Sequence, residues 1–191
     1  MRRSWLLSGV TALALVTLLL SLGWAKPQRA KTIIPGKKGT VLIFVASLCP
    51  CTDAHRIMID NLVEETSPKG FNFYSVFSNI GETEERAEYF FRNIGWKMPY
   101  YLDSDGKLAE KYKASRTPQT VVLNPRGDVL FNGPIDDANV NQGRVENPFL
   151  KNTLVDILAN KAVRNPLVPP LGGCWIVRDT TSIARPPELS K

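Results

Sequence analysis

The residues of this sequence best suited to covalent chemistry are its three cysteines. Cys49 and Cys51 are separated by Pro50 alone, and Cys174 lies far along the chain. A cysteine thiolate is both the nucleophilic form and the metal-binding form of the side chain. An odd number of cysteines leaves at least one thiol without a permanent disulfide partner. The composition therefore favours thiol exchange over a purely structural disulfide framework.

The segments on either side of Cys49 predict where that thiol is held. The run from Thr40 to Ala46 is apolar and rich in β-branched residues, which is typical of a strand buried on both faces. A helical pattern follows, with Pro50 in its first turn, where a missing N–H does no harm. Apolar residues recur in this pattern at Ile57, Ile59, Leu62 and Val63. A cysteine at a helix N-terminus faces unpaired N–H groups that stabilise its thiolate, so Cys49 is the expected nucleophile.

Further elements alternate along the chain. The predicted elements are a strand at 71–77, a helix at 82–93, an extended piece at 99–103, a short helix at 106–112, a strand at 119–123, a turn at 124–127, a hairpin strand at 128–131 and a helix from Asn147. This order predicts an α/β protein with a mixed central sheet flanked by helices, as in a thioredoxin fold. Residues 47–52 then lie at the carboxyl edge of the sheet, where such folds place their chemistry.

Three motifs carry a resemblance to a known family. The segment Phe44-Val45-Ala46-Ser47-Leu48-Cys49-Pro50-Cys51 resembles the Phe-Trp-Ala-x-Trp-Cys-Pro-x-Cys junction of exported thioredoxin-like proteins. The stretch Arg116-Thr117-Pro118, with the strand and the turn after it, is similar to the cis-proline loop and hairpin of the redoxin (AhpC/TSA) family. Asp103-x-x-Gly106-x-Leu108-Ala109 resembles another redoxin stretch. The similarity covers about residues 39–160 and implies a thioredoxin fold with a redoxin-type insert and an irregular C-terminal tail.

The resemblance implies catalytic roles for Cys49, Cys51, Thr117 and Pro118. A cis Pro118 would sit opposite the cysteines, where the preceding carbonyl meets a strand-like substrate. The family has two residues between its cysteines and this chain has one, so a Cys49–Cys51 disulfide would be strained and readily reduced. Cys51 is the first candidate for the partner of Cys49. Cys174, which follows two glycines, is a possible resolving thiol or a free tail thiol.

Polar residues near the cysteines suggest a second chemistry. His55 is the only histidine and lies four residues after Cys51, on the same face of a helix. Cys49, Cys51 and His55 could together hold Cu(I). This set resembles the ligands of copper-delivering thioredoxin-like assembly factors, but the spacing of the cysteines and the histidine along the chain differs. The alternative for His55 is a polar helix residue that tunes the thiolate. Arg116 is a candidate to favour that thiolate.

Asp136 and Asp137 form a lone acidic pair in a loop. They lack the second acidic cluster that a hard metal ion or a glycosidase site would need. We interpret them as loop polarity or capping residues. No cofactor is expected.

The N-terminus predicts export. Arg2 and Arg3 precede an uncharged, largely apolar stretch that extends to Ala25, and Gly23-Trp24-Ala25 offers a signal-peptidase site. The stretch is close to the roughly 20 residues that span a bilayer, so a retained membrane anchor is the alternative. Both readings predict a periplasmic or extracytoplasmic protein. The expected organisation is a signal or anchor at 1–25, a linker at 26–38, one redoxin domain at 39–162 and a Pro/Gly-rich tail at 163–191.

Charge and motif content narrow the function. Without residues 1–25 the chain carries 22 basic and 18 acidic residues. This excess of positive charge is too small, and the basic residues are too scattered, for nucleic-acid binding. The leading hypothesis is an extracytoplasmic thiol-disulfide oxidoreductase that acts on protein thiols or disulfides and needs a redox partner protein. A thiol peroxidase is the nearest alternative, although its Pro-x-x-x-Thr/Ser-x-x-Cys motif is absent before Cys49. A Cu(I)-binding assembly factor and a non-catalytic interaction module are the others.

Overall fold

The computed structural model describes residues 28–138 and 145–178, and the expected export segment at 1–25 lies outside these ranges. The strands are β1 (Gly39–Val45), β2 (Phe71–Phe77), β3 (Tyr100–Leu102), β4 (Arg116–Thr117), β5 (Gln119–Leu123), β6 (Val129–Gly133) and β7 (Cys174–Trp175). The helices are α1 (Pro50–Ala54), α2 (Arg56–Thr66), α3 (Glu84–Ile94), α4 (Lys107–Lys111) and α5 (Phe149–Leu158). A 3₁₀ turn, Ser67–Lys69, joins α2 to β2.

Five strands form one mixed sheet in the order β3-β2-β1-β5-β6. Strands β1, β2 and β3 run parallel to one another, while β5 is antiparallel to both β1 and β6. One face packs against α2, α3 and α5, and the other packs against α4 and the tail residue Ile176. The predicted α/β thioredoxin fold, with helices on both sides of a mixed sheet, is confirmed.

Strand β1 lies at the centre of both hydrophobic layers. Val41, Ile43 and Val45 belong to the larger core cluster, and Leu42 and Phe44 belong to the smaller one on the opposite face. Successive side chains of a strand point to opposite faces, so a strand covered on both sides needs an uninterrupted apolar run. This central position fixes the point at which the chain leaves the sheet and reaches Cys49.

The helix expected after Cys49 is interrupted. It consists of α1 and α2, which meet at His55, where the backbone has φ −96° and ψ 3°. The helix expected at 82–93 begins two residues later, because the Thr83 side chain caps it by accepting the N–H of Arg86. That helix ends at Gly95, whose left-handed φ of 79° is typical of a helix C-terminus.

The segments before and after the sheet lie against the domain. Ala30 donates its N–H to the Tyr100 carbonyl, and Ala30 and Ile33 pack against the smaller core cluster. In the tail, Val168 donates to the Asn132 carbonyl, and β7 pairs with β4 in a separate two-stranded sheet. Among the helices of residues 28–138 and 145–178, none is long and apolar enough to cross a membrane.

Candidate active site

Cys49 lies where the central strand gives way to α1. It is the N-cap residue of that five-residue helix, and only 6% of its surface is exposed. The preceding side chain, Leu48, is 77% exposed. A cleft of about 260 Å³ opens beside the thiol, lined among others by Leu48, Pro50 and Phe90. The site therefore combines a nearly buried sulfur with an apolar approach from solvent.

The tail brings a second thiol to Cys49. Strand β7 pairs antiparallel with β4, which sets Cys174 opposite Thr117 and Trp175 opposite Arg116. The Sγ atoms of Cys49 and Cys174 are 2.8 Å apart although 125 residues separate them in the chain. All three cysteines are free thiols, and their sulfur atoms lie within 4.8 Å of one another. The sequence analysis gave Cys174 as a possible resolving thiol or a free tail thiol, and the fold brings its sulfur next to that of Cys49.

Several contacts hold the tail in this register. Arg116 donates from its guanidinium to the Gly173 carbonyl at 3.0 Å and lies over the Trp175 ring, 3.2 Å from the ring centroid. Ile176 is buried and donates its N–H to the Ser115 carbonyl at 2.9 Å. Gly173 has φ +91°, and a Cβ at this position would collide with the Thr117 carbonyl oxygen. Arg116, expected to act on the thiolate, therefore acts on the tail.

The predicted proline loop is present next to the thiols. The Thr117–Pro118 peptide bond is cis, as the sequence suggested. Thr117 is fully buried, and its carbonyl accepts a hydrogen bond from the Cys49 thiol at 3.3 Å. Gln119 supports the loop by accepting the backbone N–H groups of Ser115 and Arg116 on its side-chain oxygen. The backbone before Pro118 thus contacts both Cys49 and the tail.

The thiols differ in acidity because of these contacts. Burial works against ionisation of Cys49, but hydrogen bonds from the side chains of Cys174 and Thr117 and from the backbone of Thr52 outweigh it and lower the pKa of Cys49 to about 7. Burial and the negative charge that develops on Cys49 raise the pKa of Cys174 to about 12. Burial and the same charge also raise the pKa of Cys51. The site therefore favours a thiolate on Cys49 and a proton on Cys174.

His55 is held between two acceptors. Its Nδ1 lies 2.8 Å from the carbonyl oxygen of Cys51, and its Nε2 lies 3.0 Å from a carboxylate oxygen of Asp136. Both nitrogens therefore donate, which is the hydrogen-bonding pattern of an imidazolium. Burial opposes that charge, but the hydrogen bond to Asp136 and the one to Cys51 raise the pKa of His55.

This arrangement bears on two expectations. Both ring nitrogens of His55 face oxygen acceptors in this geometry, so the alternative copper set of Cys49, Cys51 and His55 is not assembled here. Asp136 accepts the backbone N–H of Ala138, as the interpretation as a capping residue expects, and it is also buried and paired with His55, which that interpretation did not include. Asp137 does order its loop, since it accepts the backbone N–H groups of Glu146 and Asn147. No local sequence signal links residues 55 and 136.

Comparison with known proteins identifies the family of the chain. The profile of the AhpC/TSA family matches residues 23–131, which is more than half of the chain. The chain belongs to the AhpC/TSA family. This AhpC/TSA protein is also 30% identical, over 94 residues, to the thiol-disulfide oxidoreductase ResA of Bacillus subtilis (strain 168). The match covers 49% of this chain and 51% of the relative, so the chain spans about half the length of the curated relative it matches.

Solved structures support the fold of this AhpC/TSA protein. An uncharacterized conserved protein from Geobacillus kaustophilus superposes with a TM-score of 0.70 at 23% identity, covering 77% of this chain and 80% of its own. A hypothetical protein from Sinorhizobium meliloti 1021 gives a TM-score of 0.69 at 21% identity, covering 83% and 97%. These likenesses concern the fold.

Proposed function

We propose that this protein is a thiol-disulfide oxidoreductase in which Cys49 is the attacking thiolate and Cys174 is the resolving thiol. The observation that carries the proposal is the 2.8 Å separation of the two sulfur atoms. A disulfide has an S–S bond of about 2.05 Å, so the two atoms need to approach by less than about 1 Å. Cys51 was the first candidate for this partner from sequence, and the close contact favours Cys174.

The proposed reaction has two exchange steps. The Cys49 thiolate attacks one sulfur of a client disulfide, forms a mixed disulfide and releases the other client sulfur as a thiolate. Cys174 then loses its proton to solvent, attacks Cys49 Sγ and releases the second client thiolate. The client gains two electrons, and the pair Cys49 and Cys174 is oxidised to a disulfide. The reverse sequence oxidises a client dithiol, and a redox partner protein restores the starting form.

The acidities suit these two steps. A pKa of about 7 places the thiolate of Cys49 near ambient pH, where an attacking thiol is most effective. The charge on Cys49 is one cause of the raised pKa of Cys174. Once Cys49 is in a mixed disulfide it carries no charge, so that cause is gone. Cys174 therefore becomes easier to ionise at the stage when it must attack.

The client is proposed to reach Cys49 through the cleft beside Leu48. Leu48 and Phe90 give this cleft an apolar lining, which suits an extended protein segment better than a small charged thiol. The 30% identity to a protein named as a thiol-disulfide oxidoreductase supports the same reaction class. Protein thiols and disulfides are therefore the proposed substrates, and Thr117 and Pro118 the proposed loop that orders the site.

The test is reduction of insulin, combined with trapping of the mixed disulfide. Wild type should reduce insulin, and Cys49→Ser should not. Cys174→Ser should accumulate a Cys49–client adduct on a non-reducing gel, whereas the matched variant Cys51→Ser should not. An adduct that accumulates in Cys51→Ser alone would assign the resolving role to Cys51. Full activity of Cys49→Ser would overturn the nucleophile assignment.

We also propose that the chain works outside the cytoplasm, delivered or tethered by residues 1–25, with the redoxin domain at 39–162. The support is the pair Arg2 and Arg3 ahead of a long uncharged stretch. N-terminal sequencing of the native protein tests this proposal. A first residue at Lys26 means cleavage, and an intact Met1 in the membrane fraction means an anchor. Intact protein in the soluble cytoplasmic fraction would contradict both.

A further inference from the structure

We infer that Cys49, Cys51 and Cys174 together form a binding site for one Cu(I) ion in the reduced protein. Their three sulfur atoms lie within 4.8 Å of one another. They come from a helix cap, a first helical turn and a strand of the tail, so the fold rather than a sequence motif assembles them. This ligand set differs from the one expected from sequence, because Cys174 takes the place of His55.

The donor atoms select the ion. Thiolates are soft ligands that prefer Cu(I) and Zn²⁺ to hard cations. Within residues 28–138 and 145–178, the group consists of three sulfur atoms and contains no carboxylate or imidazole ligand. Structural Zn²⁺ sites are almost always four-coordinate, whereas Cu(I) accepts a three-coordinate thiolate site. The three-sulfur set therefore fits Cu(I) better than Zn²⁺.

Geometry and access allow an ion to enter without unfolding. Cys51 and Cys174 are half-buried and reach solvent, while Cys49 forms the floor of the site. Sulfur atoms bound to a common ion at about 2.3 Å, the Zn–S length, lie roughly 4 Å apart at trigonal angles. Cys49 and Cys174 must therefore separate by about 1 Å. A rotation of the Cys174 side chain can supply that movement while the backbone of β7 stays paired with β4.

Metal binding and disulfide formation exclude each other. A Cys49–Cys174 disulfide removes two of the three thiolates, so the ion loads only onto the reduced protein. No electron transfer is needed for loading, since Cu(I) enters as Cu(I) and displaces the remaining thiol protons to solvent. The redox state of the thiols thus decides whether the site holds metal.

The test is an anaerobic Cu(I) titration of the reduced full-length chain against a chromophoric Cu(I) chelator. We expect one Cu(I) per chain and three sulfur neighbours in X-ray absorption. Each of the variants Cys49→Ser, Cys51→Ser and Cys174→Ser should weaken binding at least ten-fold, and the protein oxidised at Cys49 and Cys174 should bind no stoichiometric copper. His55→Gln should stay within about two-fold of wild type. Circular dichroism of each variant checks that it is folded.

Several results would overturn the site. One is the absence of stoichiometric copper binding, and another is a Cys51→Ser variant that binds Cu(I) as tightly as wild type. The third is an imidazole nitrogen in the X-ray absorption spectrum together with a ten-fold loss of Cu(I) affinity in His55→Gln. The outcome is separable from the proposed function. Copper binding with no insulin reduction would support the metal site and contradict the proposed oxidoreductase. Insulin reduction with no copper binding would support the oxidoreductase and contradict the metal site.

Discussion

Thr117 and Cys174 face each other in register across β4 and β7, so the backbone that precedes the cis proline also positions the second thiol. This pairing depends on a residue without a side chain at position 173. A Cβ on residue 173 would collide with the Thr117 carbonyl oxygen, and Gly173 has a left-handed φ. The approach of Cys174 to Cys49 therefore depends on a close backbone contact beside the sulfur atoms.

The first prediction concerns that contact. Gly173→Ala should lower the yield of the Cys49–Cys174 disulfide several-fold under a mild oxidant, because the added methyl group collides with Thr117 and the left-handed backbone disfavours alanine. Peptide mapping by mass spectrometry measures the yield. Gly172→Ala is the matched control, since a Cβ there meets nothing within 4 Å. Equal yields in the two variants would show that the strand pairing does not set the thiol contact.

The second prediction concerns the acidity of Cys49. Iodoacetamide labelling of Cys49 against pH should have its midpoint near pH 7, following the pKa of about 7. Cys174→Ala removes a donor that stabilises the thiolate, so the pKa of Cys49 should rise and the midpoint should move to higher pH. Cys51→Ala should move the midpoint less, because Cys51 is not among the main groups that lower the pKa of Cys49. A wild-type midpoint at the roughly 8.5 of a free thiol would contradict the prediction.

The third prediction concerns the His55–Asp136 pair. The pKa of His55 is raised in the folded protein, so the protonated side chain stabilises the fold. This stabilisation is fully present below the unfolded-state pKa of about 6.5. It is lost as the pH rises through the pKa of His55 in the folded state. The free energy of unfolding of wild type minus that of His55→Gln should therefore be larger at pH 5.5 than at pH 8.5. Urea denaturation at both values measures it. A difference that grows with pH would mean that His55 is neutral in the fold.

The fourth prediction concerns Asp103, which is buried at the start of α4. Its carboxylate accepts the backbone N–H groups of Leu108 and Ala109 and the hydroxyl of Ser78, all within 3.0 Å. Asp103→Ala leaves these donors unpaired and should cost about 1–3 kcal/mol of unfolding free energy. Ser104→Ala, an exposed neighbour, should change it by less than about 0.5 kcal/mol. Similar losses in the two variants would show that the carboxylate is not the cause.

The sequence predicted those parts of the fold that depend on local patterns. The apolar run of β1, the turn after β5 and the helix start at Pro50 each reflect the residues within them, so their order and the position of Cys49 could be predicted. The break at His55 could not, because neither glycine nor proline marks this position and the helical pattern is carried by apolar residues that come after it. The capping residues at the two ends of α3 place its first and last residues one or two positions away from those predicted.

The parts of the site that sequence missed are contacts between distant segments. Cys49 and Cys174 are 125 residues apart, and His55 and Asp136 are 81 apart. Neither pair has a spacing motif, since the contact arises from where the tail and the loop after β6 cross the edge of the sheet. The sequence places Gly172 and Gly173 directly before Cys174, and glycine allows the backbone to approach another surface closely. Only the fold shows that the surface is the proline loop.

The anchoring of β7 also determines how the site responds to its surroundings. Ile176 is buried in the smaller core cluster and Val177 donates to Asn79, so Cys174 remains beside Cys49 however dilute the protein becomes. A group tethered by a short flexible linker has an effective concentration of about millimolar. The effective concentration of a thiol held in direct contact is higher than this. A thiol dissolved in the medium would need at least such a concentration to compete for the mixed disulfide. In the proposed reaction, the lifetime of the mixed disulfide is therefore set by the chain itself rather than by the supply of thiols around it.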